Sequence, residues 1–231
     1  GGLRFYGRFH LGSATITGLR GSWTQPVPGG PSGVEVFAVS SSGDTDGSIM
    51  ESVTVKDVAP NAYVSGIYVG GTVEPQPGTD GSKVTLCSVD LGADNQFAYS
   101  CSYKTTFSSS QGKGGRYGLY TDTGPMIAFA IGCTFSGSYA AVSSVSGTVA
   151  TRSVVLQSCQ LSGERAVEWW DKSLTGAAMA GGIAILDSTV DAKFTAAVVG
   201  QSGNIVIARN KLVQPPQVSV PDGSRRPLLL A

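Results

Sequence analysis

One short segment of the sequence gathers the side chains that are best suited to act on or hold a sugar. It contains three carboxylates, two adjacent tryptophans and an arginine: Glu164, Arg165, Glu168, Trp169, Trp170 and Asp171. Carboxylates can serve as general acid and base, and aromatic rings offer flat apolar surfaces to sugar rings. The three acids are therefore candidates for catalysis, and the two tryptophans with the arginine are candidates for carbohydrate binding.

A simpler interpretation of this segment stays open. Side chains alternate between two faces along a strand, so the adjacent Trp169 and Trp170 are expected on opposite faces. One tryptophan would then lie in the core and the other in a loop or an interface, with the charged residues in water. Asp187 and Asp191 form a second acidic pair, but both flank a turn, where we expect them to accept hydrogen bonds from turn amides.

The remaining composition gives little support for a metal site or for a general attraction to nucleic acid. The chain has one histidine and four cysteines without a CxxC spacing, so no metal or cofactor is expected. Its 16 basic and 16 acidic residues balance, which predicts no general attraction to nucleic acid. No apolar run approaches the roughly 20 residues of a membrane span. Cys133 and Cys159 are expected to be buried thiols, whereas pairing of Cys87 with Cys101 stays open.

A strand-and-turn unit recurs along the chain and must position these residues. In its clearest copy, Ile205 and Ile207 alternate as in a strand, Asn210 ends a turn, and Leu212 follows. The apolar residues after the turns are spaced by 26, 29 and 22 residues: Phe135, Leu161, Val190 and Leu212. A repeat of about 20–50 residues indicates a solenoid, and the alternation within each copy indicates strands.

The repeat resembles the coil of the right-handed parallel β-helix proteins, the pectate-lyase-like superfamily. In that superfamily the turn position stacks a ladder of Asn, Ser or Cys, and the matching positions here are Cys133, Cys159, Ser188 and Asn210. The resemblance implies an all-β, right-handed parallel β-helix (β-solenoid) of roughly six to eight coils. We expect residues 1–213 to form it, and residues 214–231 to form a C-terminal tail or cap. Loop excursions are expected where Pro, Gly and Ser accumulate, at Trp23–Gly33, Glu74–Ser82 and Phe107–Arg116.

The register of the repeat predicts two sets of positions. The inward set is Ile131, Phe135, Leu156, Leu161, Ile185, Val190, Ile207 and Leu212. The outward set on one sheet is small and apolar: Ala128, Ala130, Val155, Ala184, Leu186, Val206 and Ala208. This outward row has neither the paired carboxylates of a glycosidase nor the Asp cluster that would hold calcium in a lyase. Because an exposed apolar strip marks an interface, the row is predicted to be an oligomer interface, and coverage by the chain's own loops stays open.

The resemblance implies two classes of function, since the superfamily includes polysaccharide lyases and hydrolases and also bacteriophage tailspikes and fibres. The outward row favours a structural or receptor-binding component of a bacteriophage virion, such as a tail fibre, tailspike or decoration protein. Such a chain would be a homotrimer in the virion, next to other virion proteins and able to contact a host-surface polysaccharide. The alternative is a secreted polysaccharide lyase or glycoside hydrolase that uses Glu164, Glu168 and Asp171. The chain starts within the pattern, so we expect it to be a fragment or a processed product.

Overall fold

The computed structural model contains strands and turns, and no helix occurs among the residues that it describes. Those residues are 2–20, 36–59, 64–71, 80–92, 95–121, 126–146, 151–171, 180–199, 204–219 and 228–230. Every strand pair within these ranges is parallel. The predicted all-β class and the parallel β-solenoid are therefore confirmed.

The described strands form two sheets, of which the smaller, here called sheet B, has nine strands. Each coil contributes one strand to it: β2 (His10–Gly12), β5 (Ile49–Glu51), β8 (Ser82–Thr85), β11 (Thr105–Ser108), β14 (Met126–Ile131), β16 (Thr151–Gln157), β18 (Ala180–Leu186), β20 (Asn204–Ala208) and β23 (Leu228–Leu230). Consecutive members of this series are hydrogen-bonded neighbours, so sheet B stacks along the whole solenoid.

The larger sheet, sheet A, has fourteen strands in the described part of the chain and bends into two runs. Run 1 contains β1 (Leu3–Tyr6), β4 (Val36–Ser42), β7 (Val64–Val69), β10 (Phe97–Cys101), β13 (Tyr117–Thr121) and β22 (Val218–Ser219). Run 2 contains β3 (Thr15–Thr17), β6 (Thr54–Lys56), β9 (Ser88–Asp90), β12 (Gln111–Lys113) and β21 (Lys211–Leu212). Three long strands cross the bend and belong to both runs: β15 (Thr134–Ser146), β17 (Gln160–Asp171) and β19 (Thr189–Val199).

The turn from sheet B into run 2 has the same conformation in each coil. One residue there has a positive φ: Ser13, Ser52, Leu86, Ser109, Gly132, Ser158, Asp187 or Arg209. The next residue faces inward, and where it is Ser110, Ser188 or Asn210 its side chain accepts a backbone N–H of the coil before it. Cys159 N donates to Ser188 Oγ (2.9 Å), and Ser188 N donates to Asn210 Oδ1 (2.8 Å). A buried N–H must find an acceptor, which explains the small polar residues at this position.

The cysteines follow this arrangement. Cys133 and Cys159 lie next to each other in the turn ladder, and Cys87 extends it, with Cys87 N donating to Ser110 Oγ (3.2 Å). All four cysteines are buried and free, so Cys87 and Cys101 form no disulfide in this structure.

The core consists of stacked inward rows, and most of the predicted inward residues lie in it. These are at most 3% exposed: Phe135, Leu156, Leu161, Ile185, Val190 and Ile207. Leu212 is half-buried against them. Ile131 is the exception, because 49% of its surface is exposed.

The predicted register of β14 is wrong by one residue. Ala128 and Ala130 are 0% and 1% exposed, and they pair with the buried Val154 and Leu156 of β16. Phe129 and Ile131 face outward in their place. The segment Met126–Ile131 is apolar at every position, so alternation gave no information about which residues face the core. Two members of the predicted interface row therefore belong to the core.

Phe107–Arg116 is not a loop but part of a regular coil, built from β11 and β12. Its inward residue in run 2 is Gly112, and a Cβ there would lie 2.7 Å from the ring of Tyr99. A glycine is needed because the tyrosine ring already fills the space. Counting this coil, sheet B has nine strands among the described residues. The number of coils therefore differs slightly from the six to eight that were predicted.

Two strands of the predicted tail add to the sheets: β22 pairs with β19, and β23 pairs with β20. The division of the chain at Val213 stays a prediction. The loop predicted at Trp23–Gly33, and most of that at Glu74–Ser82, lies outside the described residues.

Candidate functional site

The structure separates the residues of the predicted sugar-binding segment. Trp169 is 1% exposed and packs in the core, so its ring does not face solvent. The side chains of Trp170 and Asp171 lie outside the description, although their backbone belongs to β17. Glu164, Arg165 and Glu168 do come together. They lie on the outer surface of run 1 and at the bend that precedes it.

Glu168 is a buried carboxylate that holds Arg165 in place. Its side chain is 1% exposed, and Arg165 Nη1 donates to its Oε1 at 3.2 Å. Ser143 Oγ donates to the other oxygen, Oε2, at 3.0 Å. A buried charge must be paired and hydrogen-bonded, and both oxygens of Glu168 meet this requirement. Glu168 therefore orients the arginine and is shielded from anything that binds at the surface.

A β-bulge in β15 places a tyrosine beside this arginine. Gly137 pairs with Gly163 and Ala140 pairs with Arg165, so β15 has one residue more than β17 between these pairs. The backbone N–H groups of Tyr139 and Ala140 both donate to Arg116 O, at 3.0 and 3.2 Å. A bulge changes the direction of a side chain, and bulges are common next to functional sites.

The tyrosine at this bulge contacts two guanidinium groups. The Cζ atom of Arg165 lies 4.0 Å from the ring centroid of Tyr139, and the Cζ atom of Arg116 lies 4.9 Å from it. Tyr117 meets the same ring edge-on at 5.6 Å. Burial raises the pKa of Tyr117, with a further contribution from Glu168, whereas the nearby Arg116 and Arg165 oppose the rise. We call Arg116, Tyr117, Tyr139, Glu164, Arg165 and Glu168 the corner cluster.

A cleft of about 280 Å³ lies beside the corner cluster, at the bend between the two runs. Its walls include the hydroxyls of Ser136, Ser138 and Ser162. Two of its lining residues must be glycine, because a Cβ on Gly137 would collide with the carbonyl oxygen of Ala140. A Cβ on Gly163, whose φ is +152°, would lie 2.5 Å from Gly137 O. The tight bend of the backbone thus requires glycine and leaves a polar groove.

The groove and the corner cluster come from the same three consecutive turns. Each turn has a glycine in the groove wall, followed within two residues by a Tyr or Arg of the cluster: Gly115-Arg116-Tyr117, Gly137-Ser138-Tyr139 and Gly163-Glu164-Arg165. The site therefore combines hydroxyls, cations, a carboxylate and aromatic rings. Sequence reasoning missed the first two turns, although the repeated glycine followed by Tyr or Arg was a signal that could have revealed them.

Aromatic rings continue from the corner cluster over the outer surface of run 1. Phe37 stacks on Tyr68 with ring centroids 5.0 Å apart, and Phe97 stacks on Tyr120 at 4.3 Å. We call this set, with Tyr117 and Tyr139, the aromatic stripe. All of its rings except that of Tyr117 are partly exposed. The corner cluster therefore lies at one end of a longer half-buried aromatic surface.

The outer surface of sheet B has a different character. Its apolar row, corrected for the register of β14, is Phe129, Ile131, Val155, Ala184, Leu186 and Val206. These residues are partly or largely exposed, whereas Ala208, which the prediction also put outside, is only 8% exposed. In the earlier coils the same positions hold Lys83 and Thr106. The apolar row is thus confined to the later coils.

Three further findings concern metals, membranes and relatives of the chain. The described residues contain no group of three or more His, Cys, Asp or Glu side chains placed to hold a metal ion. They contain no helix that is long and apolar enough to cross a membrane. The comparisons with known proteins found no matching family model, no similar curated protein and no similar solved structure.

Proposed function

We propose that this chain binds a glycan at the corner cluster and groove, as a structural, receptor-binding component of a bacteriophage virion. The observation that carries the glycan-binding role is the β-bulge at Tyr139, which places an aromatic ring and two guanidinium groups beside a groove walled by serines. Binding sites commonly combine a concave surface with a few well-placed polar groups and apolar ring surfaces.

The rigidity of the site supports binding. Its residues lie on consecutive coils of a parallel sheet, and the buried carboxylate of Glu168 fixes Arg165. A site on rigid elements loses little conformational freedom when a ligand binds, which favours affinity. The serine hydroxyls and backbone groups of the groove can exchange hydrogen bonds with sugar hydroxyls.

The assignment to a virion rests on the resemblance of the repeat to tailspikes and tail fibres, and fold alone does not imply function. Assembly into a homotrimer, in contact with other virion proteins, has separate support in the apolar row on sheet B. An exposed apolar strip of this kind favours a protein–protein contact. Under this proposal the chain is located in the virion, or is secreted if it acts alone.

The alternative function, a polysaccharide lyase or glycoside hydrolase, has no comparable support. A glycosidase needs two carboxylates that reach the scissile bond. Of the three proposed acids, Glu168 is buried, and the side chain of Asp171 is not among those that the structure describes. Glu164 is exposed, but its nearest charged partner is Arg165, at 3.9 Å.

The test is a glycan array probed with the wild type and with Tyr139→Ala. We expect the wild type to bind one or more bacterial surface glycans, and the variant to bind them about tenfold more weakly, since it loses one ring contact and loosens both arginines. Tyr6→Ala is the matched control, because Tyr6 is 71% exposed in the first coil, far from the groove along the coils. A wild type that binds no glycan, or a Tyr139→Ala variant that binds as well as the control, would contradict the proposal.

A further inference from the structure

We propose that the corner cluster recognises an oxyanion on the ligand, a carboxylate or sulfate substituent of a sugar, between Arg116 and Arg165. This inference rests on the proposed glycan-binding function and adds the charge of the ligand to it.

The two guanidinium groups share one aromatic neighbour. Both border the ring of Tyr139, Arg165 at 4.0 Å and Arg116 at 4.9 Å, and all three residues lie on consecutive turns of the solenoid. The bulge puts the tyrosine there, and Glu168 fixes one of the arginines. The planar fork of an arginine donates to two oxygens of an oxyanion, so two neighbouring forks form a site with directional donors.

The protein leaves donors of both arginines without acceptors. Arg165 Nη1 donates to Glu168, but Nη2 is 3.9 Å from Glu164, which is longer than a hydrogen bond. Arg165 Nε is shielded from water and has no hydrogen-bond partner among the described residues. Arg116 is exposed and forms no ion pair with any described residue. The shielded Nε is out of reach of a surface ligand, so Arg165 Nη2 and the exposed Arg116 are the donors that an oxyanion of the ligand can use.

The surroundings favour a sugar over a single-stranded nucleic acid, which also binds to cations and aromatic rings. The adjacent groove offers serine hydroxyls and glycine backbone, which suit the hydroxyls of a saccharide, and its two charged lining residues, Asp90 and Lys113, pair with each other at 3.9 Å.

The decisive experiment sorts binding by the charge of the glycan. The probes are the array of bacterial glycans, grouped into neutral, uronate-bearing and sulfated members, and three polymers with one backbone: dextran, carboxymethyl-dextran and dextran sulfate. We expect binding to the charged members to exceed binding to the neutral ones by about tenfold and to weaken as salt is raised. The two charged dextrans distinguish a carboxylate from a sulfate as the preferred oxyanion.

The variant for this experiment is Arg116→Gln, because this exposed arginine can be changed with little effect on the core. Its affinity for charged glycans should fall about tenfold, which is a larger factor than the fall expected for neutral ones. Lys83→Gln removes the same charge from the outer surface of sheet B and should keep wild-type binding. Equal binding of neutral and charged glycans, unaffected by Arg116→Gln, overturns the oxyanion inference but leaves the glycan-binding function. No binding to any glycan overturns both.

Discussion

The outer surfaces of the two sheets differ, although the rows that they bury are alike. Inside, both sheets present aliphatic and aromatic residues to a common core, such as Leu156 from sheet B and Leu161 from sheet A. Outside, run 1 of sheet A presents rings, serines and charged groups, whereas sheet B presents an apolar row in its later coils. In a solenoid each repeat needs only its inner row to pack on its neighbours, so the outer rows are free to diverge.

Packing explains how the surface of run 1 accommodates so many rings. One outward row of run 1 alternates large and small residues from coil to coil: Ser40, Tyr68, Ser100, Tyr120, Ser143 and Glu168. Each ring can lie over the serine of the next coil, and Tyr68 Oη is 2.8 Å from Ser102 Oγ. The rings are therefore half-buried without a second protein layer. The apolar row on sheet B has no such alternation, which favours a partner that covers it.

The largest expected effect comes from breaking the inner row that both surfaces share. Leu161→Asp puts a carboxylate at a position that is 1% exposed and surrounded by apolar side chains. An unpaired buried charge costs several kcal/mol or more, so we expect no soluble folded protein. The control is Gln160→Asp, because Gln160 is the preceding residue on the same strand and is exposed. A melting temperature of Leu161→Asp near that of the control would show that the inner row is assigned wrongly.

A second pair of variants compares a buried alanine of sheet B with a partly exposed alanine of the same sheet. Ala128 is fully buried, whereas Ala184 is partly exposed, although the original register put both outside. Ala128→Lys should therefore lower the free energy of unfolding by about 3 kcal/mol or more, and Ala184→Lys should change it by less than about 0.5 kcal/mol. Denaturant unfolding measures both. Equal stabilities would support the original register of β14.

These two tests separate what the sequence could predict from what it could not. The strand-and-turn repeat defined the inner rows of β16, β18 and β20, because the turn ladder at Cys159, Ser188 and Asn210 set their register. The assignment of inward residues failed for β14, which is apolar throughout. The pattern also missed the coil of β11 and β12, where Gly112 replaces a large inward residue. Periodicity is informative only where the two faces of a strand differ in polarity.

The candidate site was predicted only in part, for a related reason. Charge and proximity in sequence were enough to single out Glu164, Arg165 and Glu168. The same reasoning chose Trp169, which the structure buries, because sequence alone does not say which of two adjacent tryptophans faces the core. Tyr139 was missed because its direction depends on a β-bulge. A bulge depends on the pairing of neighbouring coils, which no single segment specifies.

The third effect concerns the buried ion pair on run 1. Arg165→Met leaves Glu168 charged, buried and without its cation, so the free energy of unfolding should fall by about 3 kcal/mol. Adding Glu168→Gln removes the stranded charge and should recover part of this loss. The measurement is denaturant unfolding of the single and double variants at neutral pH. A single variant as stable as the wild type would mean that water or another group compensates Glu168.

The fourth effect concerns assembly and leaves the fold intact. Lysines at Ala184 and Leu186 put two charges into the apolar row without touching the core, so an oligomer that uses this row should dissociate. Light scattering gives the mass, and thermal unfolding of the dissociated variant should still show a cooperative transition. The control is Lys83→Gln, in the polar part of the same sheet. A wild type that is monomeric at micromolar concentration would contradict the proposed trimer.

The smallest effect is expected for the ion pair between Asp187 and Arg209 at the edge of sheet B. This pair is exposed, whereas the pair of Arg165 and Glu168 on run 1 is buried. Arg209 donates to Asp187 through Nε (2.7 Å) and Nη2 (2.8 Å), from equivalent turn positions of adjacent coils. These hydrogen bonds lower the pKa of Asp187 below its usual value. A lowered pKa in the folded state means that the pair stabilises the fold above the ordinary pKa of an aspartate, and that this contribution is lost as the pH falls through the folded-state value.

Because both partners are in water, removing this pair should hardly change stability at neutral pH. Arg209→Gln should instead raise the pKa of Asp187 to the ordinary range, as measured from the carboxyl carbon by NMR in an acid titration. Lys56→Gln, at an exposed position of run 2, is the control and should leave that pKa unchanged. If Arg209→Gln leaves it unchanged as well, the two side chains do not stay paired in solution. The exposed pair would then contribute nothing, and only the buried pair of run 1 would act as a structural ion pair.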